Sequence, residues 1–66
     1  MRLLTLREVT SLTTLRKDMI RQLARDGKFP SPIKLGERRI AFSSSEVDAW
    51  IKRMTEEGPR VYEAQQ

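Results

Sequence analysis

The chain has 66 residues, enough for one domain and near the lower limit at which a single apolar core offsets chain entropy. It holds no cysteine and no histidine, which excludes a disulfide framework, a thiolate nucleophile and a zinc knuckle, and removes the commonest general base together with the commonest metal ligand. The net charge is +4 but unevenly spread, with eight cations against three anions in residues 14–42 and three cations against five anions in residues 43–66.

The opening Met1–Glu8 reaches charge at once, without the apolar run and small-residue cleavage site of a signal peptide. No stretch approaches the roughly 20 apolar residues of a membrane span. A cytoplasmic protein is expected, with no membrane partner and no small-molecule substrate. Thr5 followed by Glu8, ahead of Val9 and Leu12, has the form of a capping box and predicts a first helix over residues 6–12. Thr13 and Thr14 then compete locally for backbone hydrogen bonds and predict a tight turn, with Thr14 as the candidate cap of the next helix.

A second helix is predicted over residues 15–26, closed by Gly27. At about 100° per residue, Met19, Ile20, Leu23 and Ala24 share one side, and Lys17, Asp18, Arg21, Arg25 and Lys28 the other, with Gln22 at its margin. Arg16 projects nearer the apolar side, from where its long stem can reach outward. Phe29-Pro30-Ser31-Pro32 cannot continue a helix and makes a stiff connector, with Phe29 folding back onto the core.

Residues 33–42 predict a hairpin with Ile33, Leu35, Ile40 and Phe42 facing inward, Gly36 in the turn and Arg38 and Arg39 at a basic tip. Ser43 and Glu46 fit a second capping box, opening a third helix over residues 44–57 in which Val47, Trp50, Ile51 and Met54 form one apolar stripe. Gly58-Pro59 ends it, leaving residues 58–66 as a flexible tail behind a domain of residues 1–57.

These elements give a fold class that is mostly α with a small β-hairpin, a winged helix-turn-helix: two short helices across a tight turn, then a basic wing, then a supporting helix. Such a fold presents the second helix to the major groove of double-stranded DNA, so association with the bacterial nucleoid is expected. Arginine can bond both acceptors on a guanine edge and glutamine can match adenine. Arg21 and Gln22 are therefore the first candidates for base contacts, with Lys17 and Asp18 beside them. Arg16, Arg25, Lys28, Lys34, Arg38 and Arg39 are candidates for phosphate contacts that fix orientation. Asp18 either accepts from a cytosine amino group or pairs with a neighbouring cation, and the neighbour is the simpler reading.

Other eye-catching residues take plainer roles. Trp50 belongs to the apolar stripe and is assigned to the core rather than to a stacked base. Ser43–Ser45 cap a helix rather than supply a nucleophile, and Glu56-Glu57 is a solvated helix end. No catalysis, metal or cofactor is expected. The alternative function is a protein-interaction module whose basic face docks an acidic partner.

The chain resembles the AlpA family of phage-type regulators, related to phage excisionases and to the MerR-type DNA-binding domain. The resemblance runs from about Arg2 to Met54 and rests on Arg2-Leu3-Leu4, Leu6 and Glu8-Val9, on Gly27-Lys28-Phe29-Pro30 with Pro32, on Lys34-Leu35-Gly36, and on Ser45-Glu46-Val47 with Ala49-Trp50. It implies a bacterial or prophage regulator of transcription, or an accessory factor in excision, whose partners include DNA, an integrase, or copies of itself on adjacent sites. The family commonly has Ser or Thr near the start of the second helix and an aromatic partway along it. This chain has Arg16, Asp18, Met19 and Arg21 there, so the fold carries over and the DNA sequence recognised does not.

Overall fold

The computed structural model describes residues 1–62. In chain order these form strand β1 (Leu3–Leu4), helix α1 (Leu6–Thr13), helix α2 (Lys17–Arg25), strands β2 (Ile33–Lys34) and β3 (Ile40–Ser43), and helix α3 (Ser44–Glu57). The arrangement is a winged helix-turn-helix, mostly helical, with one addition that the sequence does not predict. The wing is part of a three-stranded antiparallel sheet in the order β1-β3-β2, because Leu3 and Leu4 pair with Ser43 and Phe42. None of the described helices is long and apolar enough to cross a membrane.

The first capping box forms as predicted. The Glu8 amide donates to Thr5 Oγ1 at 3.0 Å, and the Thr5 amide donates to Glu8 Oε1 at 2.9 Å. Arg2 adds an ion pair to the second Glu8 oxygen at 3.2 Å.

The turn between α1 and α2 differs from expectation. Thr14 closes α1 in the left-handed conformation, φ 65°, and α2 starts two residues later than predicted, with Arg16 in the extended cap position. The Thr13 hydroxyl bonds on both sides of the turn. It donates to the Val9 carbonyl at 2.8 Å and accepts from the Leu15 amide at 3.2 Å, which braces the turn, and the extended backbone of Arg16 then puts the helix start at Lys17.

At its other end α2 closes by a Schellman motif. Gly27 takes φ 76°, its amide donates to the Ala24 carbonyl at 3.1 Å, and the Lys28 amide donates to the Leu23 carbonyl at 2.7 Å. A positive φ suits glycine at little cost, and this one turns the chain back toward the core.

The core consists of Leu4, Val9, Ile20, Phe29, Phe42 and Val47, with Leu6, Leu15, Leu23, Ala24, Trp50 and Ile51 packed around it. Phe29 lies edge-on to two other aromatics, with ring centroids 5.9 Å from Phe42 and 4.8 Å from Trp50. The Trp50 indole N–H donates to the Lys28 carbonyl at 2.8 Å. Trp50 thus packs against the core, half-buried where the sequence predicts a core residue, and also clasps α3 to the segment that leaves α2.

Three residues assigned by periodicity to apolar faces are largely exposed: Leu12 (50%), Met19 (48%) and Met54 (40%). A core of this size is filled by the residues nearest its centre, and the flanks of each stripe stay in water.

The inward face of the wing also needs correction. Ile33 lies opposite Ala41 and Lys34 opposite Ile40. Residues directly opposite share a face, so Lys34, Ile40 and Phe42 lie on one side and Ile33 and Leu35 on the other. Phe42 alone of the four predicted inward residues is buried. The turn is closed by the Leu35 amide bonding the Arg39 carbonyl at 2.8 Å, and Gly36 holds no left-handed conformation.

α3 has the predicted bounds, but only half of its capping box forms. Ser43 Oγ accepts from the Glu46 amide at 3.4 Å, while the return bond from Glu46 is not made. Ser43 is also the last residue of β3, paired with Leu3. Gly58–Tyr62 carry neither helix nor strand, and the remainder of the expected tail lies outside the described residues.

Two sets of variants test this packing and capping. Trp50→Phe keeps the ring packing but loses the bond to the Lys28 carbonyl, costing about 1 kcal/mol in urea unfolding. Trp50→Ala removes the ring as well and costs about 3 kcal/mol, enough to unfold much of a domain this small. The Glu8 carboxyl is held below its ordinary range, first by the Thr5 amide and then by Arg2. A carboxyl depressed by folding stabilises the native state above its unfolded pKa and loses that contribution as pH falls through its folded value. The stability gap between the natural chain and Glu8→Ala is therefore full at neutral pH and shrinks on acidification.

Candidate nucleic-acid interface

The apolar side of α2 is fixed by Ile20, fully buried, with Leu23 and Ala24 half-buried beside it. That anchoring turns Lys17, Asp18, Arg21, Gln22 and Arg25 to solvent, and all five are exposed. Lys17, Arg21 and Arg25 recur every fourth residue and so stand in one row along the helix, about 12 Å from first to last. A B-form major groove is of similar width.

The wing stands beside this row. Arg21, Ala24 and Arg25 of α2 line a shallow groove of about 350 Å³ with Pro32, Ile40 and Phe42 across from them. Its floor is apolar and its α2 edge carries two guanidinium groups. Lys34, opposite Ile40 in the register, belongs to the same face of the wing. Arg38 and Arg39 lie at the exposed turn end of the hairpin.

The structure thus brings Lys17, Asp18, Arg21, Gln22 and Arg25 together on one helix face, with Lys34 on the wing face turned toward them. Arg16 and Lys28 stand apart, at opposite ends of α2. Arg16 is the residue before the helix rather than part of its first turn, and makes no side-chain cap bond. Lys28 comes after the helix, with its carbonyl held by Trp50 and its side chain exposed.

The electrostatic state of the face is simple. Among the described residues the one ion pair is Arg2–Glu8. None of Arg16, Lys17, Arg21, Arg25, Lys28, Lys34, Arg38 and Arg39 has a carboxylate of the described residues at salt-bridge distance, so the basic middle of the chain is not neutralised by them. Asp18 likewise lacks the neighbouring cation that the simpler reading gave it. It sits in the first turn of α2, where the helix dipole favours a carboxylate.

Two features of the face escape sequence reasoning. The Gln22 amide nitrogen donates to both carboxylate oxygens of Asp26, at 3.2 and 3.1 Å. The spacing i, i+4 was the available signal for it. Met19 borders a hollow with Leu15, Arg16 and Asp18. No signal distinguishes it in the sequence, because it occupies a regular core position.

Over residues 2–55 the chain matches the family described as "Prophage CP4-57 regulatory protein (AlpA)". It is similar to a protein of Enterobacteria phage P4 described as "Uncharacterized protein ORF88", with 36% identity over 63 residues that cover 96% of this chain and 72% of that protein. No solved structure matches it.

Proposed function

Since the chain belongs to the AlpA family of prophage regulatory proteins, we propose that it is a sequence-specific DNA-binding protein. It regulates transcription of prophage or mobile-element genes, or directs excision, and it catalyses nothing. One observation carries this reading: an exposed row of cations on α2, none of them paired with a carboxylate of the described residues, with a basic wing alongside. Such a surface attracts a polyanion to one side of the molecule and orients it on approach.

In this reading α2 enters the major groove. Arg21 and Gln22 meet base edges, with Lys17 and Asp18 toward the start of the helix. Arg16, Arg25 and Lys28 hold phosphates along and beyond the helix, and Lys34, Arg38 and Arg39 hold the backbone beside the wing. The division rests on chemistry. A planar guanidinium or amide carries a directional pattern that a base edge can match, whereas a cation facing phosphate carries charge without sequence information.

A salt titration tests the whole. Four or five phosphate contacts give a slope of roughly −4 in log affinity against log salt. Absence of duplex binding at low salt overturns the reading and favours an acidic protein partner for the same face. Arg21→Ala lowers the preference for a selected site over random duplex by about tenfold, while Arg38→Ala weakens both alike. Equal losses by both variants on specific and random DNA would refute the division into base and phosphate contacts.

A further inference from the structure

The bond between Gln22 and Asp26 is chemically one-sided. A carboxylate can only accept, so the partner of both Asp26 oxygens must be the amide nitrogen of Gln22, and the orientation of that amide is fixed. What remains free is the carbonyl oxygen and the second N–H. This acceptor–donor pair complements the N6–H and N7 of an adenine edge in the major groove. An unrestrained glutamine on a helix surface can also present the reversed order, and its freely turning side chain loses more entropy on binding.

We propose that Asp26 is a positioning residue, which holds the Gln22 amide in the orientation that selects an A·T pair. The inference rests on the DNA-reading function above. Its second support is the place of Asp26 itself. The residue caps the C-terminal end of α2, where peptide dipoles disfavour a negative charge. Among the described residues no cation pairs with it. It lies between Arg25 and Lys28, at a surface expected to approach phosphates, where an added carboxylate opposes binding. Its hydrogen-bonded side-chain partner is Gln22. A carboxylate that helps neither the helix end nor the approach of DNA gains its use through the amide it orients.

The test starts from duplexes selected by the natural chain out of a random pool. Each base pair of the selected site is then substituted, and affinities are measured for the natural chain, Gln22→Ala, Asp26→Ala, Asp26→Asn and the double alanine variant. One A·T pair is expected whose replacement costs the natural chain about tenfold. Gln22→Ala abolishes that preference, Asp26→Ala removes most of it, and the double variant behaves as Gln22→Ala alone. Asp26→Asn, which can still accept through its amide oxygen, restores part of it. Thermal unfolding of Asp26→Ala stays close to that of the natural chain, which separates positioning from simple bracing of the helix. Full A·T preference in Asp26→Ala, or a uniform gain in affinity for every duplex, overturns the role of Asp26 while leaving DNA reading intact. A natural chain that prefers no duplex overturns the reading and this inference with it.

Discussion

The edge-to-face packing of Phe29 against Phe42 and Trp50 sets where the other parts of the molecule sit. Phe29 belongs to the short segment after α2, Phe42 to the central strand and Trp50 to α3, so one contact joins the three parts that flank the cationic face. Trp50 completes the joint with its hydrogen bond to the Lys28 carbonyl, which fixes the chain one residue before the phenyl ring. Gly27 makes the joint possible, because the left-handed turn there reverses the chain toward the core. The groove between α2 and the wing is a consequence of this packing: Phe42 is at once a core residue and part of its floor.

Residues that hold the fold and residues that face outward are well separated on α2. Ile20, Leu23 and Ala24 secure the helix, while Lys17, Asp18, Arg21 and Arg25 make no side-chain hydrogen bond or ion pair among the described residues. In so small a domain this separation matters, since few apolar contacts supply the net stability and each lost one is felt. The outward face can differ between relatives with little effect on folding.

What the sequence made legible was mainly local. The three helices, the Thr5–Glu8 capping box and the glycine closing α2 arise from short-range chemistry, and Phe29 and Trp50 were assigned inward one by one from residue type and position. β1 was not legible, because two leucines make no alternation and their partners, Phe42 and Ser43, lie far along the chain. The face of Ile33 and Leu35 was misjudged for a related reason. Register across a hairpin depends on how many residues the turn consumes, and a shift of one moves every side chain to the opposite face. Helical periodicity assigned Leu12, Met19 and Met54 to apolar faces, but it carries no information on depth, and all three stay largely exposed. The basic face was legible from residue type and spacing, whereas the bond of Gln22 to Asp26 had only spacing to announce it.

Ser43 ends β3 and caps α3, with no residue between strand and helix. A connection of zero length has no slack. The backbone of Ser43 is paired to Leu3, and the next residue is held from both sides, since the Ser44 amide donates to the Arg2 carbonyl at 2.8 Å and the Ser44 hydroxyl accepts from the Arg2 amide at 2.7 Å. Mechanically the wing and α3 form a bent lever with its elbow clamped by β1. Between the hairpin and α3 there is thus no loop in which a displacement of one could be absorbed before it reached the other.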